Sequence, residues 1–162
     1  MEGIYLKDFP GIKLRVTLVR EDGAAATDTD SEVKPLSNPE CVYEYLRGGL
    51  EEKDRELFVV IPLNTKNVPL GVNLVAVGSV DSATVHPREV FKPAILASAT
   101  SIILAHNHPS GDPQPSRQDK TLTHKLVEAG ELLGIEVLDH IIVGRGRYYS
   151  LRDAGELRRK EE

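Results

Sequence analysis

The stretch Ser101-Ile102-Ile103-Leu104-Ala105-His106-Asn107-His108-Pro109-Ser110-Gly111-Asp112-Pro113-Gln114-Pro115-Ser116-Arg117-Gln118-Asp119 contains a change of period that decides the fold. Residues Ile102 to Ala105 are an unbroken apolar run, too short for a helix, and predict a buried strand over 101–105. A loop rich in Pro and Gly then reverses the chain. From Ser116 the apolar residues Leu122, Leu126, Ala129 and Leu133 recur at helical spacing, and Gly134 supplies the stop. Strand, loop and helix follow one another within a single short segment. Working outward, Leu57 to Ile61 predicts a second buried strand, 64–69 a turn, and 71–80 a further strand. Pro87 to Ser98 predicts a helix whose apolar face holds Val90, Phe91, Ala94 and Ile95, with Pro93 expected to kink it by removing a backbone donor. Ser37-Asn38-Pro39-Glu40 reads as a helix start and Gly48-Gly49 as its stop, giving a short helix over 39–47. Residues 135–143 and 148–151 read as two strands joined by a glycine-containing turn. Strands alternating with helices predict an α/β layered domain.

Residues 1–36 are expected to form an N-terminal strand and a flexible loop. Ile12, Leu14, Val16 and Leu18 alternate with polar residues, while 21–32 is small, polar and acidic. That alternation suits either completion of the sheet or pairing with another subunit's edge, so oligomeric state stays open. The remaining boundaries are a main domain over 37–155 and a charged tail over 156–162.

A length of 162 residues predicts about one domain and excludes a repeat array. With 40% hydrophobic and 28% charged residues the chain has the composition of a globular protein able to bury a core. A net charge of -5 argues against phosphate neutralisation over the whole surface, so a nucleic-acid role would need a local basic patch. The one cysteine, Cys41, excludes an intramolecular disulfide and a paired-thiolate zinc site, and it is expected to be an inert core residue. The first residues lack a basic and then apolar leader, and no apolar run approaches the roughly 20 residues of a membrane span. A cytoplasmic protein with no membrane partner is expected.

His106 and His108 are separated by one residue at a strand end, which turns both imidazoles to the same side. Asp119, one turn into the following helix, returns a carboxylate toward them. Zinc suits a His, His, Asp set better than magnesium or calcium do, with manganese or iron as the other fits. Three protein ligands leave a fourth position for water, whose pKa a zinc ion lowers to about 7, as in hydrolytic sites. The bland reading of Ser116-Arg117-Gln118-Asp119 is a helix capping box, and the two readings are compatible.

The spacing His-x-His, seven residues, Ser, two residues, Asp resembles the JAMM/MPN metalloprotease superfamily, and His106-Asn107-His108-Pro109-Ser110-Gly111 resembles the RadC family in particular. Val85 to Val90, Ala129 to Gly134, Asp139-His140-Ile141-Ile142 and Tyr149-Ser150-Leu151 extend the likeness over about residues 37–155. The resemblance implies a JAMM/MPN-type layered sandwich, a mixed central sheet flanked by helices and related to the cytidine deaminase layout. It also implies one zinc ion per chain held by His106, His108 and Asp119. An upstream glutamate would act as general base and Ser116 as the oxyanion donor. Glu56, opening a strand 50 residues before His106, fits that glutamate; Glu89 at a helix start is the rival, and Glu51 and Glu52 fall in a charged turn. The activity implied is zinc-dependent hydrolysis of peptide or isopeptide bonds in a protein or peptide substrate.

Two other classes compete with the hydrolase. One is a DNA-repair-associated factor, to which the family label points. Residues 1–36 are expected to be too short and strand-like for the helix-hairpin-helix region of longer members, and acidic residues interrupt the basic tail. The other is a metal-binding interaction module without turnover. Asp139-His140 is read as structural or as support for a ligand imidazole, His86 as a cap or turn residue, His124 as solvent-facing, and Asn107 and Ser110 as orienting the loop.

Overall fold

The computed structural model describes residues 34–78 and 85–157. The expected strand around Ile12–Leu18, the loop over 21–32, the last two residues of the 71–80 strand and the tail beyond Leu157 lie outside the described residues. In chain order the elements are α1 (Pro39–Leu50), β1 (Leu57–Leu63), β2 (Asn73–Val77), α2 (Pro87–Leu96), β3 (Ser101–Asn107), α3 (Arg117–Leu133), β4 (Glu136–Val143) and β5 (Tyr148–Ser150). The strands form one mixed sheet in the order β2-β1-β3-β4-β5. Only β3 and β4 run parallel, joined through α3 as a strand–helix–strand crossover; the other neighbours are antiparallel.

Alternation along β1 and β3 sorts the core into two layers, because successive strand side chains point to opposite faces. Phe58, Val60, Ile102 and Leu104 pack with Val90, Phe91 and Ala94 of α2 and Leu122 and Leu126 of α3. Val59, Ile61, Leu63, Ile103 and Ala105 pack on the other face with Val42, Leu46 and Leu50 of α1. The domain is therefore the expected mixed α/β sandwich, with α1 on one face and α2 and α3 on the other. Among the described residues no helix is long and apolar enough to cross a membrane.

Several boundaries differ from the sequence reading. Helix α1 runs through Gly48-Gly49 to Leu50, which is 3% exposed. Two glycines cost a helix about 1 kcal/mol each relative to alanine, but Leu46 and Leu50, four apart, pack into the same core layer and hold the last turn. Helix α2 ends at Leu96 and continues unbroken through the buried Pro93. Its face centres on Val90 and Ala94, so Ile95, about 100° further round, is 54% exposed. Leu133 is likewise exposed at the end of α3. Strand β3 extends two residues past the expected end, since His106 pairs with Phe58 and Ile142, and Asn107 with Val143.

Candidate metal centre

The site lies where β3 leaves the sheet beneath the start of α3. His106 is a strand residue on the α3 face and is fully buried, whereas His108 follows one residue past the strand and is partly exposed. Ser116 is the N-cap of α3: its hydroxyl accepts the Asp119 N–H at 3.1 Å while its own N–H donates to Asp119 Oδ2 at 2.7 Å. This capping box is the expected one, and it points the 3%-exposed Asp119 at the two imidazoles. Asp119 Oδ1 is 3.4 Å from His106 Nε2 and Oδ2 is 3.5 Å from His108 Nε2. The two Nε2 atoms are 3.0 Å apart.

One donor atom from each of His106, His108 and Asp119 falls within 4.8 Å of the others, a grouping able to hold a metal ion. The hydrogen bonds fit that use. His108 Nδ1 lies 2.8 Å from the Asp112 carbonyl, which only accepts, so Nδ1 holds a proton, and whenever the ring is neutral Nε2 presents its lone pair to the cluster. Two nitrogens and a carboxylate are the borderline ligands that suit zinc and its first-row neighbours.

The electrostatics show how strongly the groups depend on one another. Burial alone would raise the Asp119 carboxyl, yet the His106 and His108 rings beside it, the positive charge His106 carries when protonated and the Ser116 side chain hold it well below the usual carboxylate range. Hydrogen bonding to Asp119 pushes His108 up against the opposing effect of burial, aided by the Asp112 carbonyl and the negative charges of Asp119 and Glu56. Burial pushes His140 well below its ordinary value, and the charges of His106 and His108 act in the same direction.

Glu56 is half-buried at the foot of β1, and its carbonyl accepts the Gly78 N–H at 2.9 Å. Asn107, expected to orient the loop, instead brackets Glu56: its Oδ1 accepts the Leu57 N–H at 2.7 Å and its Nδ2 donates to the Arg55 carbonyl at 3.0 Å. Ser110 does serve the loop, accepting the Asp112 N–H at 3.3 Å. Glu89 is engaged on the surface of α2 with Lys92 at 2.7 Å and Arg88 at 3.3 Å. Glu51 accepts from Tyr43 and from the Gly146 N–H. His86 is the N-cap residue of α2, without a side-chain cap bond. His124 is exposed, with Nε2 at 3.0 Å from the Glu156 carbonyl. The free thiol of Cys41 is half-buried against the α1 core layer rather than fully within it.

Two neighbours of the centre come from distant sequence. His140 Nε2 is 2.8 Å from His106 Nδ1, and His140 Nδ1 is 2.6 Å from Thr123 Oγ1. Leu138 is skipped in the β3–β4 ladder, where Ile102 pairs with Val137 but Ile103 with Asp139. That single extra residue reverses the parity of β4 and turns His140 onto the face occupied by His106. Asp139 is then buried against the β4–β5 corner, accepting from the His140 N–H at 2.7 Å, the Arg152 N–H at 3.0 Å and the Ser150 hydroxyl at 2.6 Å.

Residues 36–156 match the RadC-like JAB domain family. A UPF0758 protein of Methanosarcina mazei is 49% identical over 129 residues, covering 80% of this chain and 56% of that protein. One from Rubrobacter xylanophilus is 54% identical over 122 residues, 75% of this chain and 53% of its own length. One from Moorella thermoacetica is 55% identical over 118 residues, 73% and 52% respectively. The chain thus spans about half the length of the curated relatives it matches.

Proposed function

Because the chain belongs to the family of RadC-like JAB domains, we propose that it hydrolyses peptide or isopeptide bonds of a protein or peptide substrate, using a zinc ion held by His106, His108 and Asp119. The observation that carries this reading is the convergence of those three side chains at the head of β3 and α3. Bound there, zinc supplies Lewis acidity and brings the pKa of water to about 7.

The chain's own residues do the rest. Glu56 takes the proton of the attacking water and returns it to the leaving nitrogen, a role supported by its influence on His108 and by the Asn107 bonds on either side of it. Ser116 is exposed, and its hydroxyl, which accepts the Asp119 N–H in the helix cap, carries one O–H that can turn to donate to the developing oxyanion. The cytoplasm is the compartment that fits a chain whose single cysteine is free.

The test is zinc-dependent hydrolysis of a panel of peptide and isopeptide-linked substrates by the full chain and by Glu56→Gln. Loss of general acid–base catalysis predicts a rate lower by about 10²–10⁴ with zinc content unchanged. Full activity in Glu56→Gln would remove the assigned base, and absence of zinc-dependent turnover by the wild type across the panel would remove the hydrolase reading.

A further inference from the structure

We propose that Thr123 and His140 form a hydrogen-bond relay that sets the tautomer of His106, placing the proton on Nδ1 and leaving Nε2 as an electron-pair donor toward the metal centre. The proposal rests on the metal role given to His106 above and assigns two positioning residues to it.

The argument starts from a single proton. Thr123 Oγ1 lies 2.7 Å from the Asp119 carbonyl oxygen and 2.6 Å from His140 Nδ1. A carbonyl oxygen only accepts, so the threonine proton belongs to the Asp119 carbonyl and Oγ1 must accept from His140. His140 therefore holds its proton on Nδ1. The ring has no exposed surface, and among the described residues its hydrogen-bond partners are His106 and Thr123 with no carboxylate, so it stays neutral and its Nε2 is unprotonated. At 2.8 Å, that Nε2 can only accept from His106 Nδ1–H. The His106 ring is then left with its lone pair on Nε2, the atom that faces His108 and Asp119.

The opposite polarity fails on the same distances. If Thr123 donated to His140, the oxygen pair Thr123 Oγ1 and Asp119 O would sit 2.7 Å apart with no proton between them. His106 Nε2 would also hold a proton aimed into the ligand cluster. The bond to the Asp119 carbonyl is lost and one ligand is blocked, whereas the relay leaves two Nε2 lone pairs 3.0 Å apart, an approach suited to a cation held between them, so the arrangement favours the relay at a metal-binding centre. The relay also begins on the backbone of Asp119 itself, so the helix turn that supplies the carboxylate orients the imidazole opposite it.

The test uses the full chain, zinc-free and then zinc-titrated, with long-range nitrogen NMR of the histidine rings as the first readout. Wild type is expected to show His106 and His140 both as Nδ1–H tautomers. Thr123→Val keeps the shape but removes the acceptor; it is expected to shift His140 and His106 toward Nε2–H and to weaken zinc, in competition with a chromogenic chelator, by about 10–100-fold. Thr123→Ser is expected to restore both readouts, and Thr123→Ala replaces Thr123→Val if the latter does not fold. His106 found as Nε2–H in wild type, or unchanged tautomers and zinc affinity in folded Thr123→Val, would overturn the relay. Wild-type tautomers as expected but no zinc uptake would instead overturn the metal role of His106.

Discussion

Replacing Asp139 separates the value of its hydrogen bonds from that of its charge. The carboxylate is 4% exposed and accepts from three donors at the β4–β5 corner. In Asp139→Ala, the Arg152 N–H lies near the surface and can turn to water, but the His140 N–H and Ser150 hydroxyl lose their acceptor inside the protein. Buried donors left unmade cost about 1–3 kcal/mol each, and relief of the buried charge offsets part of this, so a net loss of about 2–3 kcal/mol is expected. For a chain of this size that lowers Tm by roughly 4–12 °C. Asp139→Asn keeps an oxygen for the two backbone donors and can donate its amide to Ser150 Oγ, so about 1 kcal/mol or less is expected. Burial raises the Asp139 carboxyl, with Asp153 adding to the effect and the bonds from Ser150, Arg152 and His140 opposing it. The folded state therefore takes up this proton at a higher pH than the unfolded chain. As pH falls from neutral through the raised value toward the ordinary value of about 4, wild type gains stability that Asp139→Asn does not. Contributions from Asp119 and His108 occur in both proteins and cancel in the difference. Urea unfolding of wild type, Asn and Ala variants between neutral pH and about 4 reads all of this. Equal destabilisation by Asn and Ala, or a wild-type advantage over Asn that shrinks on acidification, would refute the reasoning.

Further predictions concern the loop, the helix end and the cap. A Cβ at Gly144 would sit 2.6 Å from the Gly111 carbonyl and 2.8 Å from Pro113 Cδ, backbone and ring atoms that must retreat. Gly144→Ala is therefore expected to cost about 1–3 kcal/mol in thermal unfolding and, by moving the Asp112 carbonyl that holds His108, to weaken zinc binding about tenfold. Leu50→Ala should cost about 2–5 kcal/mol and let α1 fray back to the glycines, read as lost helical circular dichroism; an unchanged spectrum and stability would show that Leu50 does not hold that turn. Ser116→Ala removes the cap acceptor, at about 1 kcal/mol in denaturant, and separately lowers hydrolysis per folded molecule by about 10²–10³ if the hydroxyl serves the oxyanion.

Local signals were legible where one short segment contained all of them. The apolar run ending at Ala105, the His-x-His step and the Ser116 to Asp119 cap lie within 19 consecutive residues, so strand parity and helix capping place His106, His108 and Asp119 together without knowledge of the rest of the chain. Two-faced burial of β1 and β3 was readable from their continuous apolar runs. The surroundings of the centre were not. His140 reaches His106 on one side and Thr123 on the other only because Leu138 drops out of the ladder and inverts the alternation that β4 would otherwise follow. Asn107 reads as a loop residue until β1 is laid beside it, when its amide is seen to span Arg55 and Leu57. Gly48 and Gly49 carry a strong stop signal, overridden by a leucine whose burial depends on the sheet beneath.

Elemental analysis of untagged protein, beside a His106→Ala/His108→Ala variant, tests the metal centre most directly. About one zinc per chain in wild type, absent from the variant, is the result expected of a single three-ligand site. No bound metal in wild type even after zinc is added back, or equal metal in the variant, would contradict it.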